Sequence, residues 1–74
     1  MSPAKTLPPG STIGILGGGQ LGRMTALAAA RLGYRCIVYA PEDHSIAGDV
    51  AAGHVSGAYG DTAALARFAG QVDV

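Results

Sequence analysis

Ile13-Gly14-Ile15-Leu16-Gly17-Gly18-Gly19-Gln20-Leu21-Gly22-Arg23-Met24 decides the fold. Its opening is a short apolar run bounded by glycine, the pattern of a parallel strand buried on both faces. Three glycines follow, and then a stretch to Leu32 rich in Ala, Leu, Met and Arg, which are good helix formers. Gly33 stands where a helix stop belongs. Gly17 to Gly22 thus sets G-x-G-x-x-G directly after a strand and at the opening of a helix, the context that makes the pattern credible. Gly17 allows the tight turn, Gly19 removes a Cβ that would block an anion, and Gly22 lets the helix approach the sheet. The unpaired amides of the first helical turn carry about half an elementary charge, so a phosphate or carboxylate is the expected occupant. The plainer alternative is a tight strand-to-helix connection that binds nothing.

Working outward, Tyr34 to Tyr39 reads as a second strand stopped by Pro41. Ser45 to Ala52 reads as a short helix with a Ser cap, weakened by Gly48, and His54 to Tyr59 as a third strand. Asp61 caps a helix over Thr62 to Ala69, with Leu65, Phe68 and Ala69 as its buried face and Gly70 as its end. In the first helix, Leu21, Met24, Ala28 and Leu32 recur at helical spacing and give the expected buried face. Gln71 to Val74 looks like the opening of a fourth strand. This alternation predicts an α/β fold with a parallel sheet and helical crossovers. Right-handed connections give the strand order three, two, one. The last helix then crosses to the other face and brings the fourth strand beside the first, so the order reverses next to the glycine turn.

At 74 residues the chain is one small domain or part of a larger one. Its single cysteine, Cys36, makes no internal disulfide, and a core this small is marginal without a staple. Residues 11–74 are expected to form one truncated domain that alone is marginal, sticky or dependent on self-association, and 1–10, with Pro3, Pro8 and Pro9, a flexible leader. Five basic residues balance five acidic ones, which argues against nucleic-acid and membrane partners. No apolar run approaches the roughly 20 residues needed to span a bilayer, and the leader lacks an apolar core of the signal-peptide kind. A cytoplasmic location is expected.

NAD-binding units place an acid at the end of the second strand to hold the ribose hydroxyls, whereas Ala40 stands there and Glu42 and Asp43 fall late. A monophosphate ligand suits this better than a dinucleotide. Gln20 is the one polar side chain in the turn, with ligand and solvent as equal fates. Arg23 belongs to a solvated helix face, and Arg31 and Arg35 to the helix end. His44 and His54 lack partners at metal-ligand spacing, Cys36 has no neighbouring base, and no catalytic constellation is visible.

The wording of Ile13 to Met24 closely resembles the opening of the 5-(carboxyamino)imidazole ribonucleotide synthases, purine-biosynthesis ligases of the ATP-grasp superfamily. The likeness continues through Ala28-Ala29-Ala30-Arg31-Leu32-Gly33-Tyr34 and Val38-Tyr39, and more loosely through Ala63 to Ala69. It implies a Rossmann-like preATP-grasp domain in which Gly18, Gly19, Gln20 and Leu21 face a ribonucleotide substrate and its phosphate. It also implies ATP and magnesium bound elsewhere in a full-length, dimeric enzyme, with no cofactor, metal or catalytic residue in this stretch. Ala40 departs from the family, which usually has Asp there. The N-terminal half of an NAD(P)-dependent oxidoreductase and a non-catalytic domain remain the alternatives.

Overall fold

A computed structural model describes residues 7–74. Three parallel strands, β1 (Thr12–Leu16), β2 (Arg35–Ala40) and β3 (Gly53–Ser56), lie in the order β1-β2-β3. Helix α1 (Gln20–Arg31) joins the first two strands, and α2 (Thr62–Ala69) follows the third. The α/β class and the strand order expected from the sequence are both found. Thr12 pairs with Arg35 and Leu16 with Tyr39, so β1 and β2 end together at one edge of the sheet.

Side chains alternate across the sheet as the period of a strand requires. Ile13, Ile15, Cys36, Val38 and Ala40 pack on the face covered by α1 and by a single 3-10 turn over Gly48–Val50. Ile37, Tyr39 and Val55 pack on the face covered by α2. That 3-10 turn replaces the helix expected over Ser45 to Ala52. The Ser45 cap does form, its Oγ accepting from the Gly48 amide at 2.9 Å. Gly48, however, is a poor helix residue pressed against the His54 ring, and the turn goes no further.

The buried face of α1 is also not the expected one. Ala26 and Ala29 face the sheet, while Leu21, Met24 and Leu32 point outward and are 79%, 63% and 70% exposed; Ala28 is exposed with them. The reason is the closeness of the packing. A Cβ on Gly22 would stand 2.9 Å from the Gly17 carbonyl oxygen and 3.2 Å from the Ala47 Cβ. Only small side chains fit between a helix this near and the strands beneath it.

On the other face, α2 is capped by Asp61, whose carboxylate accepts from the Ala64 amide at 3.0 Å. Ala64 and Phe68 are buried one turn apart and Leu65 is half-buried, but Ala69 is exposed, contrary to expectation. Ala69 lies about 100° around the helix from Phe68, which already fills the space over the sheet. Gly14 makes that approach possible, since a Cβ there would sit 2.8 Å from Phe68 Cζ. Tyr39, fully buried, stacks at a tilt on Phe68 at 5.3 Å and on Tyr59 at 6.1 Å between ring centres. β3 stops at Ser56, short of the expected Tyr59. A Cβ on Gly57 would collide with the Tyr39 hydroxyl, which donates to the Ala58 carbonyl at 2.6 Å and turns the chain out of the sheet.

Beyond α2 the chain returns to the outer edge of β1, where a fourth strand was expected. Asp73 N donates to Thr12 O, and Gly14 N donates to Val74 O, both at 2.7 Å. Both contacts advance in the same direction along the two segments. No regular ladder forms: a parallel register set by the first bond would have Gly14 N donate to Asp73 O, one residue earlier, and the Thr12 amide donates to the Asp73 carboxylate at 2.8 Å. Of the expected leader, residues 1–6 lie outside the described residues. Leu7 O accepts from the Tyr34 hydroxyl and Gly10 N donates to Gly33 O, each at 2.8 Å.

Candidate functional site

The glycine turn leaves β1 at the edge where the parallel strands end. Gly17 takes φ +122°, a conformation that side chains disfavour, and its amide donates to Tyr39 O at 2.8 Å. Gly18 O accepts from Ala47 N at 3.0 Å, tying the turn to the loop that follows β2. A Cβ on Gly18 would collide with the Ser45 side chain. Gly19 is the N-cap of α1, at φ −84° and ψ −168°, and a Cβ there would meet nothing within 4 Å. The adjacent glycines therefore do different work: Gly18 is closed in by the protein, and Gly19 opens outward.

The first intrahelical bond of α1 runs from Arg23 N to Gly19 O at 3.0 Å. The amides of Gln20, Leu21 and Gly22 have no acceptor in the helix and no capping side chain, and the first turn carries no acid. The Gln20 and Leu21 side chains are exposed, so the turn offers chiefly its main chain: converging donors with partial positive charge. Such an arrangement suits an anion with several oxygens, such as a phosphate ester.

Ala40, fully buried, lies under the turn, its Cβ 3.3 Å from where a Cβ on Gly18 would be. The position from which a dinucleotide-binding unit offers an acid to the ribose is thus a packed methyl group. Glu42, Asp43 and His44 are exposed in the following loop. His54 is half-buried below the 3-10 turn, its Nδ1 3.5 Å from Ser56 Oγ and its buried Nε2 without a partner among the described residues. Cys36 lies under α1, where burial pushes its thiol pKa up and keeps it protonated. Among the described residues, no three His, Cys, Asp or Glu side chains gather in a group able to hold a metal ion. None of the described helices is long and apolar enough to cross a membrane.

Two neighbours of the turn escaped the sequence reasoning. Ser45 backs Gly18, and the Tyr59 hydroxyl lies 3.9 Å from where a Cβ on Gly17 would be. A signal for Tyr59 was present: parallel strands share one C-terminal edge, so a residue soon after the third strand lies at the same edge as the turn after the first.

Residues 10–74 match the ribonucleotide synthetase preATP-grasp domain. The chain belongs to this family. An N5-carboxyaminoimidazole ribonucleotide synthase from Brucella melitensis is 54% identical over 69 residues, which are 93% of this chain and 19% of that protein. A bifunctional purine synthesis protein from Dictyostelium discoideum is 55% identical over 71 residues, 96% of this chain and 7% of that protein. An ADP complex of an N5-carboxyaminoimidazole ribonucleotide synthetase superimposes with a TM-score of 0.87 at 45% identity, over 90% of this chain and 18% of that one. The Staphylococcus aureus synthetase with ADP gives the same TM-score at 39% identity. The preATP-grasp domain described above therefore spans less than a fifth of the length of these relatives.

Proposed function

We propose that this preATP-grasp domain holds the ribonucleotide substrate of an N5-carboxyaminoimidazole ribonucleotide synthase. In that reaction ATP and bicarbonate carboxylate the exocyclic amine of 5-aminoimidazole ribonucleotide, a step of purine biosynthesis. The observation that carries the proposal is the contrast within the turn: Gly18 and Gly22 are packed against protein, whereas Gly19 faces outward beside unpaired amides. The 5′-phosphate accepts from the amides of Gln20 and Leu21, and the missing Cβ of Gly19 lets it come close. Ala40 leaves no acid for a dinucleotide ribose, which favours a monophosphate. The names of the relatives point the same way.

ATP and magnesium enter this proposal only through the longer protein. Among the described residues no three His, Cys, Asp or Glu side chains gather in one group and the first turn of α1 carries no acid, so this reading gives no residue of the domain a part in holding ATP or magnesium. The role left to this domain is binding and orientation. A ligand that binds only the folded chain raises its melting temperature. 5-Aminoimidazole ribonucleotide is expected to do so at millimolar concentration and NADH is not. A rise with NADH alone, or with neither, overturns the proposal.

A further inference from the structure

Three aromatic rings run in series from the core to the edge of the sheet that carries the glycine turn. Phe68 of α2 stacks at a tilt on Tyr39, and Tyr39 on Tyr59. The first two are buried, and Tyr59 is 53% exposed. Their fixation differs as well. The Tyr39 hydroxyl donates to Ala58 O at 2.6 Å, anchoring the residue next to Tyr59, and the Tyr34 hydroxyl donates to Leu7 O at 2.8 Å. Among the described residues the Tyr59 hydroxyl has no partner, and it stands 3.9 Å from the position a Gly17 Cβ would take. Tyr39, itself anchored, thus packs against the Tyr59 ring, whose unpartnered hydroxyl lies beside Gly17 of the turn.

Resting on the function proposed above, we infer that Tyr59 is a ligand-contacting residue whose hydroxyl donates a hydrogen bond to the ribose-phosphate of the bound ribonucleotide. A phenol suits this task because its polar tip sits on a stiff, two-torsion side chain that loses little freedom on binding. It adds a side-chain donor from a second element, the loop after β3, to the main-chain amides of Gln20 and Leu21. A bond from a neutral donor to a charged oxygen is worth more than one to a neutral group, so its removal is expected to weaken binding about tenfold.

The test compares the chain with its Tyr59→Phe variant, which keeps the ring against Tyr39. Ribose 5-phosphate and 5-aminoimidazole ribonucleotide are titrated into each protein, labelled with nitrogen-15 and carbon-13, and followed by NMR. Shifts of the Gln20 and Leu21 amides report the turn, and the Tyr59 ring signals report the inference. Turn shifts in both proteins, with a Kd about tenfold weaker in the variant and an unchanged melting temperature without ligand, support it. Turn shifts with the same Kd in both proteins overturn the role of Tyr59 and leave the proposed site standing. If neither compound moves the turn amides of the unaltered chain, the proposed function and the role of Tyr59 fall together.

Discussion

Asp73 and Thr12 exchange two hydrogen bonds across the outer edge of β1: Asp73 N donates to Thr12 O at 2.7 Å, and Thr12 N donates to the Asp73 carboxylate at 2.8 Å. A side chain therefore fills the acceptor position that a fourth strand would supply. Asp73→Ala is expected to lose about 1 kcal/mol of stability and to expose the Thr12 amide. Urea unfolding and hydrogen exchange at Thr12 measure the two effects; an unchanged Thr12 exchange rate would refute the assignment.

Gly18 and Gly19 respond oppositely to a methyl group. Gly18→Ala drives a Cβ into Ser45 and is expected to destabilise the fold by about 1–3 kcal/mol. Gly19→Ala meets nothing within 4 Å in a backbone conformation that alanine accepts, so stability stays within about 0.5 kcal/mol. Its effect falls on phosphate binding, which is expected to weaken. Thermal unfolding with and without ribose 5-phosphate separates the two outcomes.

The outward face of α1 tolerates charge. Met24→Lys and Leu32→Lys change side chains that are 63% and 70% exposed, so each is expected to shift stability by no more than about 0.5 kcal/mol and to raise solubility. Ala26→Leu, in contrast, forces bulk between helix and sheet and costs about 1–3 kcal/mol. Denaturant midpoints and light scattering check both.

Alkali weakens the fold through two groups. Burial, with a smaller contribution from Asp61, pushes the Tyr39 phenol above its ordinary 10.0, and burial alone pushes the Cys36 thiol above 9.0. The folded chain holds both neutral forms, so their contribution is complete below the unfolded values and is lost as pH rises past about 9 and then about 10. Cys36→Ala is expected to move the onset from the first value toward the second. Denaturant midpoints from neutral pH upward reveal the onset.

Strand, turn and helix were legible around Gly17 because glycine and β-branched residues mark changes of local structure. The α2 cap at Asp61 was legible for the same local reason. The inward side of α1 was not. Its sequence puts alanines on one side and larger apolar residues on the other, and hydropathy alone favours burying the larger. The deciding quantity is the distance between helix and sheet, which depends on Gly22, Gly17 and Ala47 meeting in space. The short turn at Gly48 and the early end of β3 at Gly57 likewise follow from the rings of His54 and Tyr39, residues distant in sequence. The glycine turn was located from the sequence alone, and the approach of Tyr59 depended on tertiary structure.

The contact between Thr12 and Asp73 joins residues 61 positions apart. On a ribosome adding roughly 5–20 residues per second, the outer edge of β1 waits several seconds for its covering segment, while β2 and β3 can already be in place. A newly made chain therefore passes through a stage in which that edge, with Gly14 uncovered beside it, is open to other strands. Slowed translation through residues 60–74 would lengthen this exposure, and an added chaperone would be expected to raise the yield of soluble protein most under that condition.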